Sequence, residues 1–162
     1  MFHDYSLRDD QFSCKSMNMY EHLKGKRLLA LDIGKKRIGI AVCDILHITT
    51  TPLHTIDQGP AVQQEILNII KREQIGGVII GIPKESKGQT NSIIKDIKNM
   101  EQFLRAQLSI DVYLHDESFS SKDAVMHMVA AGRSKKHRQD KAAIDRTAAA
   151  IILRSFLDEY DV

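Results

Sequence analysis

The stretch "LLALDIGKKRIGIAVCD", Leu28 to Asp44, decides how the chain is read. Leu28 to Leu31 is a short apolar run, and Ile38, Ile40 and Val42 alternate with Arg37, Gly39 and Ala41 at the two-residue period of a strand. Gly34 supplies a tight turn between the halves, so the stretch predicts an antiparallel hairpin. One charge departs from that pattern. Asp32 closes the first, buried strand, where a carboxylate is costly unless it has a partner, and Lys35, Lys36 and Arg37 follow it. Gly39 and Ala41 leave one face of the second strand small.

Working outward, Thr51 to Ile56 reads as a third strand, with Pro52 at its start where a missing N–H does least harm. After Gly59 and Pro60 the period becomes helical, with Val62, Ile66, Ile69 and Ile70 on one face up to about Glu73. "GGVIIGIP" predicts a buried strand over Val78 to Ile80. Ile93, Ile97, Met100 and Leu104, with Phe103 beside them, mark a second helix, and "DVYLHDES" a fifth strand. A third helix is expected to end at Gly132. The last, from about Asp140 to Glu159, is expected to carry Ile144, Ala148, Ile151, Ile152 and Ser155 on one face. The order β-β-β-α-β-α-β-α-α implies an α/β fold with a mixed five-stranded sheet flanked by helices on both faces.

Residues 1–26 are polar and without sustained period, which predicts a poorly structured N-terminal extension. Residues 27–162 are expected to form a single domain, because 162 residues at 43% apolar content suffice for one core without disulfide or zinc staples. Cys14 and Cys43 form no CxxC and predict a reducing, cytoplasmic setting. No apolar run approaches the length of a bilayer span, so no membrane partner is expected. The net charge of +2 is small, but the cations cluster. One group is Lys35, Lys36 and Arg37; the other is "GRSKKHRQDK", with Arg133, Lys135, Lys136, Arg138 and Lys141. A solvated loop explains such a run as readily as a phosphate-binding surface does.

Four acids fall where ligands gather in open α/β sheets, beyond the carboxyl ends of the strands. Asp32 closes the first strand, Asp116 and Glu117 close the fifth, and Asp145 lies in the second turn of the last helix, among small alanines that let a helix approach a sheet closely. Like charges at about 4 Å repel by roughly 1 kcal/mol in water and by more in a drier site. Such a cluster therefore needs a divalent cation, and oxygen-only ligation favours Mg²⁺ or Mn²⁺. Two such ions serve phosphodiester hydrolysis by activating water and stabilising the leaving oxygen.

"LLALDIGKKRIGIAVCD", "GGVIIGIPKESKGQT", "VYLHDESFSS" and "AIDRTAAAIILRSFLDEY", in this order and spacing, resemble the YqgF (RuvX) family, described as pre-16S rRNA nucleases and as Holliday-junction-resolvase-like. The resemblance covers about Arg27 to Tyr160. It implies a ribonuclease H-like fold and metal-dependent nuclease activity of two-metal type in the bacterial cytoplasm, with processing of the 5′ end of pre-16S rRNA as the role. The family's strand-one aspartate falls on Asp32, the acidic pair of its DER motif on Asp116 and Glu117, and its last-helix aspartate on Asp145. The resemblance thus implies Asp32, Glu117 and Asp145 as catalytic metal ligands, with Asp116 as a further ligand and Glu85 as a competitor for the third place. Two departures concern substrate handling: Ser118 stands where the family usually has Arg, and the loop after "GIP" reads "KESKGQT".

On the predicted fold Lys36, Arg37, Lys84, Lys87, Arg133, Lys135, Lys136 and Arg138 border the same sheet end and are the candidate phosphate contacts. Aromatic residues are sparse among them, which favours recognition of structured RNA by its backbone over base stacking. His115 and His54 are read as structural. A Holliday junction resolvase acting on DNA would use the same acids, and would work as a homodimer, whereas a trimmer acting on a ribosomal precursor particle need not. A non-catalytic RNA-binding ribosome-assembly factor draws its support from Ser118. A sugar-kinase-like ATPase would need a second lobe that 162 residues do not offer.

Overall fold

The expected hairpin is β1 (Arg27–Ile33) and β2 (Arg37–Cys43) of a computed structural model that describes residues 19–83, 91–116 and 121–162. The turn between them is short because Gly34 N–H donates to the Arg37 carbonyl at 2.9 Å. It is pinned from outside by Gln58, whose N–H donates to the Lys36 carbonyl and whose side-chain amide donates to the Gly34 carbonyl. The chain continues through β3 (Thr50–Asp57), α1 (Val62–Arg72), β4 (Ile75–Ile82), α2 (Asn91–Gln107) and β5 (Asp111–Asp116). Then come α3 (Ser121–Ala130), α4 (Lys135–Gln139) and α5 (Lys141–Tyr160). The short α4 lies within the cationic run and was not expected from its polar, aperiodic sequence.

The sheet order is β3-β2-β1-β4-β5. β1 is antiparallel to β2 and β2 to β3, whereas β1, β4 and β5 run parallel, so the sheet is mixed. Strand alternation splits the apolar residues between two faces. Leu29, Leu31, Ile38, Ile40, Val78 and Ile80 pack against Ile66 and Ile70 of α1 and Ile97, Met100 and Leu104 of α2. Leu28, Ala30 and Ile79 pack on the other side against Ile152, Leu153, Phe156 and Leu157 of α5. The buried stripe of α5 is thus Ala143, Ala148, Ala149, Ala150, Ile152, Leu153, Phe156 and Leu157, while Ile144, Ile151 and Ser155 of the expected face are only half-buried. In an alanine-rich helix the small residues, which carry little weight in an apolar pattern, are the ones that touch the sheet.

Upstream of the boundary expected at residue 27, Glu21–Leu23 forms a 3-10 turn. Leu23 is fully buried in the α5-side core, and Tyr20 packs its ring edge against Tyr113 and Phe156. The packed body therefore includes part of the segment read as a loose extension; residues 1–18 lie outside the described residues.

Candidate active site

One row of residues crosses the α5-facing side of the sheet. Thr55 pairs with Gly39, Gly39 with Asp32, and Gly81 with His115; Leu31 pairs with Ile80, so Asp32 comes level with Gly81. α5 lies along this row. The Thr55 hydroxyl donates to the Ala142 carbonyl at 2.6 Å, the Gly39 backbone lies against that of Asp145, Gly81 meets the Ile152 side chain, and His115 faces the Ser155 hydroxyl at 3.4 Å. The spacings explain the fit. From Ala142 to Ser155 a helix rises about 20 Å, and four steps between strands cover about 19 Å. The helix therefore crosses the strands nearly at right angles and stays in step with them.

Small residues make the approach possible. A Cβ on Gly39 would overlap the carbonyl of Asp145, a backbone obstacle that no rotamer change removes. Ala149 and Ala150 of the helix pack against Ala41 of β2, and Asp145 stands one turn earlier, against Gly39. Two carboxylates more than a hundred residues apart in sequence are in this way set beside each other on one face.

Their electrostatics follow from that placement. Burial, and after it the charge of Asp145, raise the Asp32 carboxyl from the usual carboxylate range to about 6. Among the described residues no hydrogen-bond donor reaches the Asp32 carboxylate. Asp145 is held differently: Arg37 Nε donates to its Oδ2 at 2.6 Å, with the two side chains 28% and 25% exposed. Among the described residues no group of three or more His, Cys, Asp or Glu is close enough to hold a metal ion. The pair alone still has the right donors for a hard cation: two carboxylates, one of them desolvated and repelled by the other.

The other expected ligands fare differently. Glu117 lies outside the described residues, as do Glu85 and Ser118. Asp116 is not brought to the pair. Along β5 it shares the alternation of Val112 and Leu114, which pack into the α1 and α2 core, so it stands exposed on the opposite face. β4 also separates β1 from β5, which puts the ends of those two strands about 10 Å apart and leaves the close approach to α5.

Of the expected phosphate contacts, Lys84 and Lys87 lie outside the described residues. Lys36 is exposed in the hairpin turn. Arg37, expected to be open to phosphate, is instead committed to Asp145, because its strand parity turns it toward α5. Lys135 and Lys136 are exposed on or beside α4, and Arg138 is half-buried with its Nε unpaired among the described residues. This run leads straight into α5, whose first turn Asp140 caps by accepting from Ala142 N–H. Arg133 lines a cleft of about 910 Å³ between α3, α5 and the start of β3, together with Arg146 and Arg154. His115 is buried against Phe156 and Tyr160, and His54 is exposed beside Arg72, so neither joins the carboxylate pair. Sequence reasoning missed the Arg37 to Asp145 pair; its signal was Arg37 sharing the parity of Gly39 and Ala41.

Comparison with known proteins bears on the family and the fold. A family model described as "RuvX: Holliday junction resolvase" matches residues 26–159. A relative from Bacteroides fragilis named "Putative pre-16S rRNA nuclease" is 38% identical over 141 residues, covering 82% of this chain and 96% of its own. One from Amoebophilus asiaticus with the same name is 33% identical over 135 residues, covering 83% and 95%. Among solved structures, Thermus thermophilus RuvC superposes with a TM-score of 0.56 at 12% identity, over 83% of this chain and 96% of that one. The fold is therefore ribonuclease H-like, as the family resemblance implied.

Proposed function

From the premise that the chain belongs to the RuvX family, described as Holliday junction resolvases, we propose that it is a divalent-metal-dependent nuclease of the bacterial cytoplasm whose substrate is structured RNA. The reaction is phosphodiester hydrolysis of two-metal type; the names of the relatives favour pre-16S rRNA as the substrate, and the family resemblance adds that its 5′ end is the part processed. The observation that carries the reading is the carboxylate pair: α5, in step with the strands, sets Asp145 beside a desolvated Asp32. Residues 27–162 would act as one nuclease domain.

Asp32 and Asp145 would hold Mg²⁺ or Mn²⁺ together with Glu117. When bound, the ion supplies Lewis-acid polarisation of the phosphoryl oxygen and a more acidic water. Asp32 serves only in its ionised form, which above about pH 6 it has even without a metal. Lys36, exposed in the hairpin turn that follows Asp32, holds backbone phosphate, and Lys135, Lys136 and Arg133 extend that contact without reading sequence.

A second reading, cleavage of DNA four-way junctions by a homodimer, is favoured by the description of the family itself. Cleavage of precursor rRNA and of a four-way junction, with wild type and Asp32→Asn in Mg²⁺, tests both. Loss of rRNA cleavage in the variant supports the first reading. Junction cleavage with rRNA left intact supports the second. Equal activity of wild type and variant removes the site.

A further inference from the structure

Arg37 stands on the α5-facing side of β2, two residues before the glycine that admits the helix, and its Nε–H is spent on Asp145 Oδ2. Its other near charges are also acidic: Asp57 is its partner in β3, and Asp140 caps α5. The carboxylate pair requires positive charge nearby, and among the described residues the guanidinium supplies it. A divalent ion placed on the same carboxylate would meet that cation at short range, in a partly dry site where repulsion is screened less than at the surface.

We propose that Arg37 is a resident counter-cation of Asp145, which a divalent ion must displace in order to bind. The inference rests on the reading of Asp32 and Asp145 as metal ligands. Without metal, Arg37 keeps the two acids from driving α5 off the sheet. With metal bound, the guanidinium is released from Asp145 and becomes available to a phosphate oxygen. Arg37 is thus a positioning residue whose effect on metal affinity is negative, the reverse of a group that orients a ligand.

The test is a Mn²⁺ titration of the full-length chain, followed by the electron paramagnetic resonance signal of free Mn²⁺. Arg37→Gln should bind about tenfold more tightly than wild type, and Arg37→Lys, which restores the charge, should return affinity toward the wild-type value. Equal or weaker binding by Arg37→Gln overturns the proposal while leaving the metal site in place, provided Asp145→Asn still abolishes binding. If Asp145→Asn leaves Mn²⁺ binding unchanged, the metal reading has failed and this inference with it. A second measurement needs no variant: the Arg37 Hε resonance of wild type should lose its protection from solvent exchange as Mg²⁺ is added. A resonance still protected at saturating Mg²⁺ contradicts displacement.

Discussion

The two ends of the first hairpin each carry an aspartate, and their surroundings are opposite. Asp44, at the end of β2, accepts from Thr49 N–H at 2.7 Å, from the Thr49 hydroxyl at 3.1 Å and from Leu46 N–H at 3.3 Å. These bonds, the Thr49 backbone N–H first, hold its carboxyl below the usual range. Asp32, at the end of β1, lies on the α5-facing side of the sheet near a second acid, and burial lifts it to about 6. One carboxylate organises a loop and is content as an anion. The other is kept where its charge is unwelcome, and a carboxylate so placed marks a candidate site.

The contrast is broken most severely in activity. Asp32→Asn should lower Mg²⁺-dependent cleavage by at least about a hundredfold, since loss even of a group supporting a metal ligand costs 10- to 100-fold, whereas Asp44→Ala should cleave at nearly the wild-type rate. Next in size is the helix approach. Gly39→Ala should lower stability by about 3 kcal/mol in a thermal or urea melt, because the new methyl meets Asp145 backbone. Gly81→Ala on the same row should cost less, since the flexible tip of Ile152 can move away.

Smaller still is the effect of pH on the metal-free protein, and its sign differs between the two ends. A raised carboxyl means that the folded state holds its proton more tightly than the unfolded state. Asp32 therefore stabilises the fold below 3.8, and that contribution is lost as the pH rises to about 6. Asp32→Asn should accordingly be more stable than wild type at pH 7, by about 2 kcal/mol, with the difference vanishing near pH 4. Asp44 has a lowered carboxyl, so its contribution is present at neutral pH and is lost on acidification below 3.8. Asp44→Ala should melt slightly below wild type at pH 7 and converge with it in acid. Parallel melts of both variants across pH 3 to 8 read the two signs directly.

Much of this was legible in the residues. The alternation of Ile38, Ile40 and Val42 placed the hairpin, and Ile97, Met100 and Leu104 placed α2, because large apolar side chains report burial strongly. The small residues of the α5 interface were legible only as permission for a close approach. Which alanines face the sheet depends on a crossing angle set by tertiary packing, and an even scatter of alanines along a helix carries little phase. Asp32 could be singled out as a lone charge closing an apolar run, and Asp145 by the small alanines around it. Asp116 could not be assigned until the parity of β5 was known, since one residue of register turns a side chain to the other face. The pairing of Arg37 with Asp145 joins elements a hundred residues apart, and a run of three cations does not say which of them turns inward.

The proposed chemistry requires Asp32 and Asp145 to share a divalent cation. Anomalous diffraction from a crystal soaked in Mn²⁺ tests it most directly. A peak is expected within about 2.2 Å of a carboxylate oxygen of each residue, at the distances of hard-cation ligation. A soaked crystal with its Mn²⁺ peaks elsewhere, and none between Asp32 and Asp145, would contradict it.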